Sequence, residues 1–134
     1  MKILGLDIGD RWTGIALSDM LGITVKPYIT VETKDLKNVI VDICGKEPID
    51  TIVVGYPKTM KGTESEQTKK TVALFEELKT AFTHLVWVLY DERLSSKQAA
   101  HISSTRSKQE RLKAHARAAA FILSLYLEHL NFQR

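Results

Sequence analysis

Hydrophobic and polar positions follow two different periods along this chain. Residues 2–8, 12–18 and about 24–31 carry short apolar stretches bounded by turn residues, and they predict three β-strands. Asp10-Arg11 makes a tight connection between the first two, and residues 19–22 form a second hairpin turn. From Leu36 the spacing changes. Leu36, Val39, Ile40 and Ile43 recur at the helical period, Thr33 can N-cap the segment, and Gly45 and Pro48 end it. Residues 51–56 are a continuous apolar run, as expected of a parallel strand covered on both faces. After a loop around 58–62, Thr63 or Ser65 opens a second helix carrying Val72, Phe75, Leu78 and Phe82. Residues 85–90 read as another buried strand, ending in the charges Asp91-Glu92-Arg93. Ser95 or Ser96 then starts a short helix. A long helix over roughly 109–131 follows, with an apolar face of Ala116, Ala119, Ala120, Leu123, Leu127 and Leu130.

The resulting order, βββαβαβα, predicts an α/β fold. Three antiparallel strands followed by right-handed βα crossovers give a mixed five-stranded sheet of order 3-2-1-4-5, strand 2 antiparallel, with helices on both faces. Strands 1, 4 and 5 then run parallel, and their carboxyl ends are where open α/β sheets place their sites. No repeat, linker or low-complexity tract divides residues 1–134, which read as a single domain.

Composition changes this picture little. The chain has 26% charged and 44% hydrophobic residues, and a net charge of +3 that mildly favours a polyanionic partner. No apolar run reaches membrane-spanning length, and Met1-Lys2 leads straight into a strand pattern rather than a signal peptide, so a cytoplasmic protein is expected. The single cysteine, Cys44, falls among Leu36, Val39, Ile40 and Ile43 and reads as a buried structural thiol.

Asp7 breaks the first apolar run. A carboxylate inside a strand is costly to desolvate, so a cation should meet it, and a metal ion is the economical candidate. Gly5 and Gly9 at i−2 and i+2 would leave room for a ligand on the same face. A strand-end Asp capping a turn is the simpler alternative.

Arg106, Lys108, Arg111, Lys113 and Arg117 set five cations against one acid, Glu110, before and along the start of the last helix. With Lys58 and Arg93 they could contact the phosphates of a nucleic-acid backbone; a solvated helix face is the other reading. No aromatic residue is interleaved with them, so base stacking is not indicated, and Trp12 reads as a packing residue. His84, His101 and His129 lack ligand spacing and read as surface residues.

Four segments in order, spanning nearly the whole chain, resemble the YqgF/RuvX family. They are Gly5-Leu6-Asp7-Ile8-Gly9 with Gly14-Ile15-Ala16-Leu17-Ser18-Asp19, then Val53-Val54-Gly55-Tyr56-Pro57-Lys58-Thr59-Met60-Lys61-Gly62, then Asp91-Glu92-Arg93-Leu94-Ser95-Ser96, then Ala118-Ala119-Ala120-Phe121-Ile122-Leu123 with Tyr126-Leu127. These are ribonuclease-H-like proteins similar to the RuvC Holliday-junction resolvases. The resemblance implies a ribonuclease H-like fold and a metal-dependent endonuclease that processes the 5′ end of the small-subunit ribosomal RNA precursor. Branched DNA is the alternative substrate. It also implies a catalytic and metal-binding set of Asp7, Glu92 and an acid at the start of the last helix, holding Mg²⁺ or Mn²⁺.

The position of that third acid is His115 here. A neutral imidazole suits softer metals and removes one negative charge, so weaker binding, a lean toward Mn²⁺ and activity that falls as His115 protonates are expected. His115 can equally be an incidental polar residue near a helix start. In a two-metal reaction the ions lie about 3.5–4 Å apart; Asp7 would bridge them, with Glu92 and His115 completing one each. Strand 4 between strands 1 and 5 separates Asp7 from Glu92 by roughly 9–10 Å at the outset, and Asp91 competes for the same role. Expected partners are structured RNA, with the small ribosomal subunit among them, or branched DNA, no membrane, and a monomer or weak homodimer.

Two rival classes stand beside the nuclease. The Asp7-x-Gly9 hairpin also resembles the phosphate turn of the actin/sugar-kinase ATPases, although the chain lacks the length for a second lobe and has no P-loop. A non-catalytic RNA-binding or ribosome-assembly module, with His115 marking a decayed site, is the other.

Overall fold

A computed structural model of the chain describes residues 1–56, 66–91 and 107–133. Its elements are β1 (Lys2–Ile8), β2 (Trp12–Ser18), β3 (Val25–Glu32), a 3₁₀ turn (Thr33–Asp35), α1 (Leu36–Lys46), β4 (Ile49–Tyr56), α2 (Glu66–Ala81), β5 (Val86–Asp91) and α3 (Lys108–Gln133). The loop expected around 58–62, the residues proposed to open α2, and the short helix expected from Ser95 or Ser96 lie outside the described residues.

The five strands form one sheet in the order β3-β2-β1-β4-β5. β2 is antiparallel to both β1 and β3, while β4 is parallel to β1 and β5. This is the topology that the hydrophobic pattern predicts. Strand alternation sends β1 to both sides of the sheet. Leu4, Leu6 and Ile8 join Ile15, Ile52 and Val54 under α1 and α2, whose Leu36, Ile40, Ile43, Phe75 and Leu78 complete a large core. Cys44 packs against that core, and burial pushes its thiol up, as a structural cysteine requires.

The opposite face carries smaller residues. Ala16 and Val53 pack against Ala119, Ile122, Leu123 and Leu127 of α3, with Ile3, Val88, Tyr90 and Tyr126 at the margin. Gly5 and Gly14 have no side chain on this face, and they set how closely α3 approaches. A Cβ at Gly5 would lie 2.9 Å from Leu123 Cβ, and one at Gly14 would lie 1.9 Å from the His115 carbonyl oxygen. The glycine beside Asp7 in β1 therefore admits a helix rather than a ligand. Gly9 serves the β1–β2 turn, where its amide donates to the Trp12 carbonyl at 2.9 Å and a Cβ would meet that same oxygen.

Two expected helix boundaries differ. Thr33 is not the N-cap of α1; it opens the 3₁₀ turn, and Asp35 occupies the cap without a side-chain bond. The Thr33 hydroxyl instead donates to the Gly9 carbonyl at 2.7 Å and shares a hydrogen bond with the Thr13 hydroxyl at 2.9 Å. Gly45 lies inside the last turn of α1, which closes when the Glu47 amide donates to the Ile43 carbonyl. The turn at 19–22 forms as expected: Gly22 takes φ of 68°, and Asp19 Oδ1 accepts from the amides of Ile23 and Thr24. Those bonds hold the Asp19 carboxyl below its usual range. Among the described residues no helix is long and apolar enough to cross a membrane.

Candidate active site

Asp7 is the next-to-last residue of the central strand, at the carboxyl end of the parallel set. Its strand face is that of Gly5, so it looks toward α3. Across β2 its register partner is Gly14. On the other side, Leu6 pairs with Val54, so Gly55 is next in line, and Gly55 pairs in turn with Tyr90 of β5. Asp7 is thus flanked in its row by two residues with no side chain. The turn that follows it is pinned from three directions. Gln67 of α2 donates to the Ile8 carbonyl at 3.2 Å, Thr33 to the Gly9 carbonyl, and the Thr33 amide to the Arg11 carbonyl at 2.8 Å.

Burial raises the Asp7 carboxyl from 3.8 to about 6, with desolvation as the cause. Among the described residues no Lys, Arg or His forms an ion pair with it. A desolvated acid with glycines on both sides, and with no ion pair to a cation among the described residues, is a donor suited to a divalent ion.

His115 lies on α3 directly above Gly14, where the helix backbone meets the strand. It is therefore one strand away from Asp7, although the two side chains share no hydrogen bond. Burial lowers the His115 pKa below 6.5, which favours the neutral imidazole a metal ligand must be. Glu92 and Arg93 lie outside the described residues, as do Lys58 and Arg106. β4 does separate β1 from β5, so the two-strand spacing between Asp7 and the end of β5 stands. Among the described residues no three His, Cys, Asp or Glu side chains group as metal ligands. His84 and His129 are exposed, and His101 is outside the described set.

The basic stretch divides in two on α3. Lys108, Arg111 and His115, spaced i, i+3, i+7, line a cavity of about 440 Å³ together with Leu112, Arg11 and Trp12. Lys113 and Arg117 line a different cavity of about 390 Å³, beside Tyr28, Ile29 and Thr30 of β3. The Thr30 hydroxyl donates to the Leu112 carbonyl and ties β3 to the helix between the two. Sequence reasoning missed Arg11, and it read Trp12 as packing with no aromatic near the cations. The hairpin brings both residues to the first cavity, with the Arg11 guanidinium 5.1 Å from the centre of the Trp12 ring. The available signal was period 2 along β2, which sets Trp12 on the face of Gly14, Ala16 and Ser18.

Known proteins match this chain over nearly its whole length. A sequence model of the RuvX family, described as Holliday junction resolvase, matches residues 1–129. A Clostridium tetani protein named "Putative pre-16S rRNA nuclease" is 40% identical over 134 residues, covering 96% of each chain. The protein of that name from Clostridium botulinum strain Hall is 41% identical over 138 residues, covering 98% of this chain and 99% of its own. Among solved structures, T. thermophilus RuvC in complex with Holliday junction substrate matches with TM-score 0.59 at 13% identity, over 97% of this chain and 95% of that one. Fowlpox virus resolvase bound to Holliday junction DNA matches with TM-score 0.52 at 17% identity, over 97% and 99%. At such identities these two likenesses speak for the fold, which is ribonuclease H-like. With most of its length matched by the family model and by relatives of about 40% identity, the chain belongs to the RuvX family.

Proposed function

We propose that this protein is a metal-dependent endonuclease that hydrolyses phosphodiester bonds in structured nucleic acid, with the 5′ end of pre-16S rRNA as its substrate. The names of its 40%-identical relatives support the substrate, and the family description supports phosphodiester chemistry. The observation that carries the reading is Asp7: a desolvated carboxylate at the end of the central strand, between Gly14 and Gly55, with no ion pair to a cation among the described residues.

In this reading Asp7, His115 and Glu92 hold one or two Mg²⁺ or Mn²⁺ ions. When bound, such an ion would activate a water and offset the negative charge on the departing oxygen. Asp7 is held in place by the pinned turn after it and would offer the ion a carboxylate that is partly desolvated. His115 would donate a ring-nitrogen lone pair, and burial favours its neutral form by lowering its pKa. Glu92 is preferred to Asp91 on the family resemblance, both side chains lying outside what the structure describes. Lys108, Arg111, Lys113 and Arg117, with Lys58, Arg93 and Arg106, contact backbone phosphates and orient the strand without reading sequence.

The test is incubation with a 5′-extended 16S precursor RNA and a four-way DNA junction, in Mg²⁺ and in Mn²⁺, beside Asp7→Asn. RNA cleavage that Asp7→Asn abolishes is the expected result. Cleavage of the junction alone would shift the substrate to branched DNA, which the family description favours. Salt-dependent RNA binding with no turnover in either metal would leave a binding module.

A further inference from the structure

The cavity between the start of β2 and the first turns of α3 is larger and chemically richer than phosphate contact requires. It measures about 440 Å³ and is lined by Arg11, Trp12, Lys108, Arg111, Leu112 and His115. Three of these side chains are cations, and one is an indole that is only partly buried. Neither Lys108 nor Arg111 forms an ion pair among the described residues. Arg11 reaches Glu32 only at 3.8 Å, and its side chain is 71% exposed. The second tryptophan shows the contrast: Trp87 is buried against Phe75 and Phe82, and its Nε1 donates to the Phe82 carbonyl at 3.0 Å. Trp87 is a core residue and Trp12 is not.

We propose that this cavity binds an unpaired nucleotide of a single strand, its base stacked on Trp12 and its flanking phosphates held by Lys108 and Arg111. A partly exposed indole beside cations, two of which form no ion pair among the described residues, is the combination that single strands exploit, because every base has a π-face and every link a charge. A continuous duplex offers the phosphates but keeps its base faces stacked away, so Trp12 would gain nothing from it. Arg11 stands over one face of the indole and adds a third positive group there, so the proposal puts the base on the opposite face.

Location ties the cavity to the proposed chemistry. Trp12 lies two residues from Gly14 on the same face of β2, and Gly14 is the register partner of Asp7. That offset is about 7 Å along the strand. His115 borders the cavity and sits above Gly14, so the stacked nucleotide would lie immediately beside the proposed cleavage site. The inference rests on the nuclease reading for that placement and specifies its substrate: the strand must be single at, or next to, the bond that is cut.

The experiment measures binding apart from cleavage. Fluorescein-labelled hexanucleotides of RNA and of DNA, single-stranded or annealed to a complement, are titrated with the full chain in EDTA and followed by anisotropy and tryptophan emission. Single strands are expected to bind more tightly than duplexes and to quench emission. Trp12→Ala should weaken the single strand by about 10- to 100-fold, and Trp12→Phe should recover most of that loss while abolishing the quench. Lys108→Gln and Arg111→Gln should each lower the slope of log affinity against log salt by about one. The RNA and DNA arms assign the sugar. Equal binding by Trp12→Ala and the parent, a duplex bound as tightly as the single strand, or no single-strand binding overturns the proposal. If Trp12→Ala fails to fold, an unchanged quench in Trp12→Phe does the same. Metal-dependent cleavage that ignores Trp12 would sink this inference and spare the nuclease; Trp12-dependent binding without cleavage would do the reverse.

Discussion

Gly14 and His115 meet without a side chain between them: a Cβ on Gly14 would stand 1.9 Å from the His115 carbonyl oxygen and 2.7 Å from the Ala116 amide nitrogen. Both obstacles are backbone, so no rotamer change relieves them. Gly14→Ala must push the start of α3 off the sheet, and overpacking of this kind costs about 1–3 kcal/mol or more. We expect a loss near the top of that range in urea denaturation. Gly5→Ala, whose nearest contacts are Leu123 Cβ at 2.9 Å and the Ala119 carbonyl at 3.2 Å, should lose less. A Gly14→Ala protein as stable as the parent would show that α3 is not seated where the geometry puts it.

Much of this arrangement is legible in the sequence, and the reason is periodicity. The 2-residue pattern of β1 and β2 and the apolar run of β4 leave few topologies once right-handed crossovers are required, and the 3-2-1-4-5 order follows. Small residues are the harder part. Gly5 beside Asp7 shows vacant volume, but a sequence does not say whether a ligand or a helix fills it. Only the matching Ala116 and Ala119 on α3 point to the helix. The basic stretch reads as one strip along the chain, yet 3.6 residues per turn send Lys108 and Arg111 one way and Lys113 and Arg117 another. Trp12 joins the first pair across about a hundred residues, a proximity that no local pattern carries.

The hydroxyl pair behind the Asp7 turn gives a second prediction. Thr33 donates to the Gly9 carbonyl, and its oxygen shares a bond with the fully buried Thr13 hydroxyl. Thr33→Val leaves both partners unsatisfied and should cost about 1–3 kcal/mol. Adding Thr13→Val removes one of the two orphaned groups, so the double variant should recover part of the loss. If the second substitution costs as much again, the pair is not coupled.

Asp7 carries a pH signature. Its carboxyl titrates near 3.8 when exposed and at about 6 in the folded chain, so folding favours the protonated acid. That contribution is complete below pH 3.8 and is lost as pH rises through about 6, leaving a burden on the order of 3 kcal/mol at neutral pH. Asp7→Asn should therefore stabilise the protein by about 1–3 kcal/mol at pH 7.5 and by nothing near pH 3.5, while abolishing cleavage. Mg²⁺ or Mn²⁺ should raise the Tm of the parent at pH 7.5 and leave the variant unmoved. Denaturation curves at the two pH values, with and without metal, decide it; a variant less stable than the parent at pH 7.5 would refute the burial argument.

His115 is where cutting and binding part. Burial holds its pKa below 6.5, so the stability it contributes is fully present above pH 6.5 and is lost as pH falls through the folded value. His115→Gln should remove that acid-side loss. Cleavage by the parent should likewise persist somewhat below pH 6.5 before protonation takes away the lone pair. His115→Asp adds a second carboxylate on the residue whose backbone meets Gly14, the register partner of Asp7. If that carboxylate reaches the same ion as Asp7, the two acids oppose each other's ionisation without metal and bind a hard cation better with it. The variant should be less stable than the parent in EDTA at pH 7.5. It should also show a larger Tm rise in Mg²⁺ and cleave in Mg²⁺ where the parent is expected to favour Mn²⁺. A His115→Asp protein with the parent's metal preference and the parent's acid limb would take His115 out of the site and leave it as a packing residue of α3.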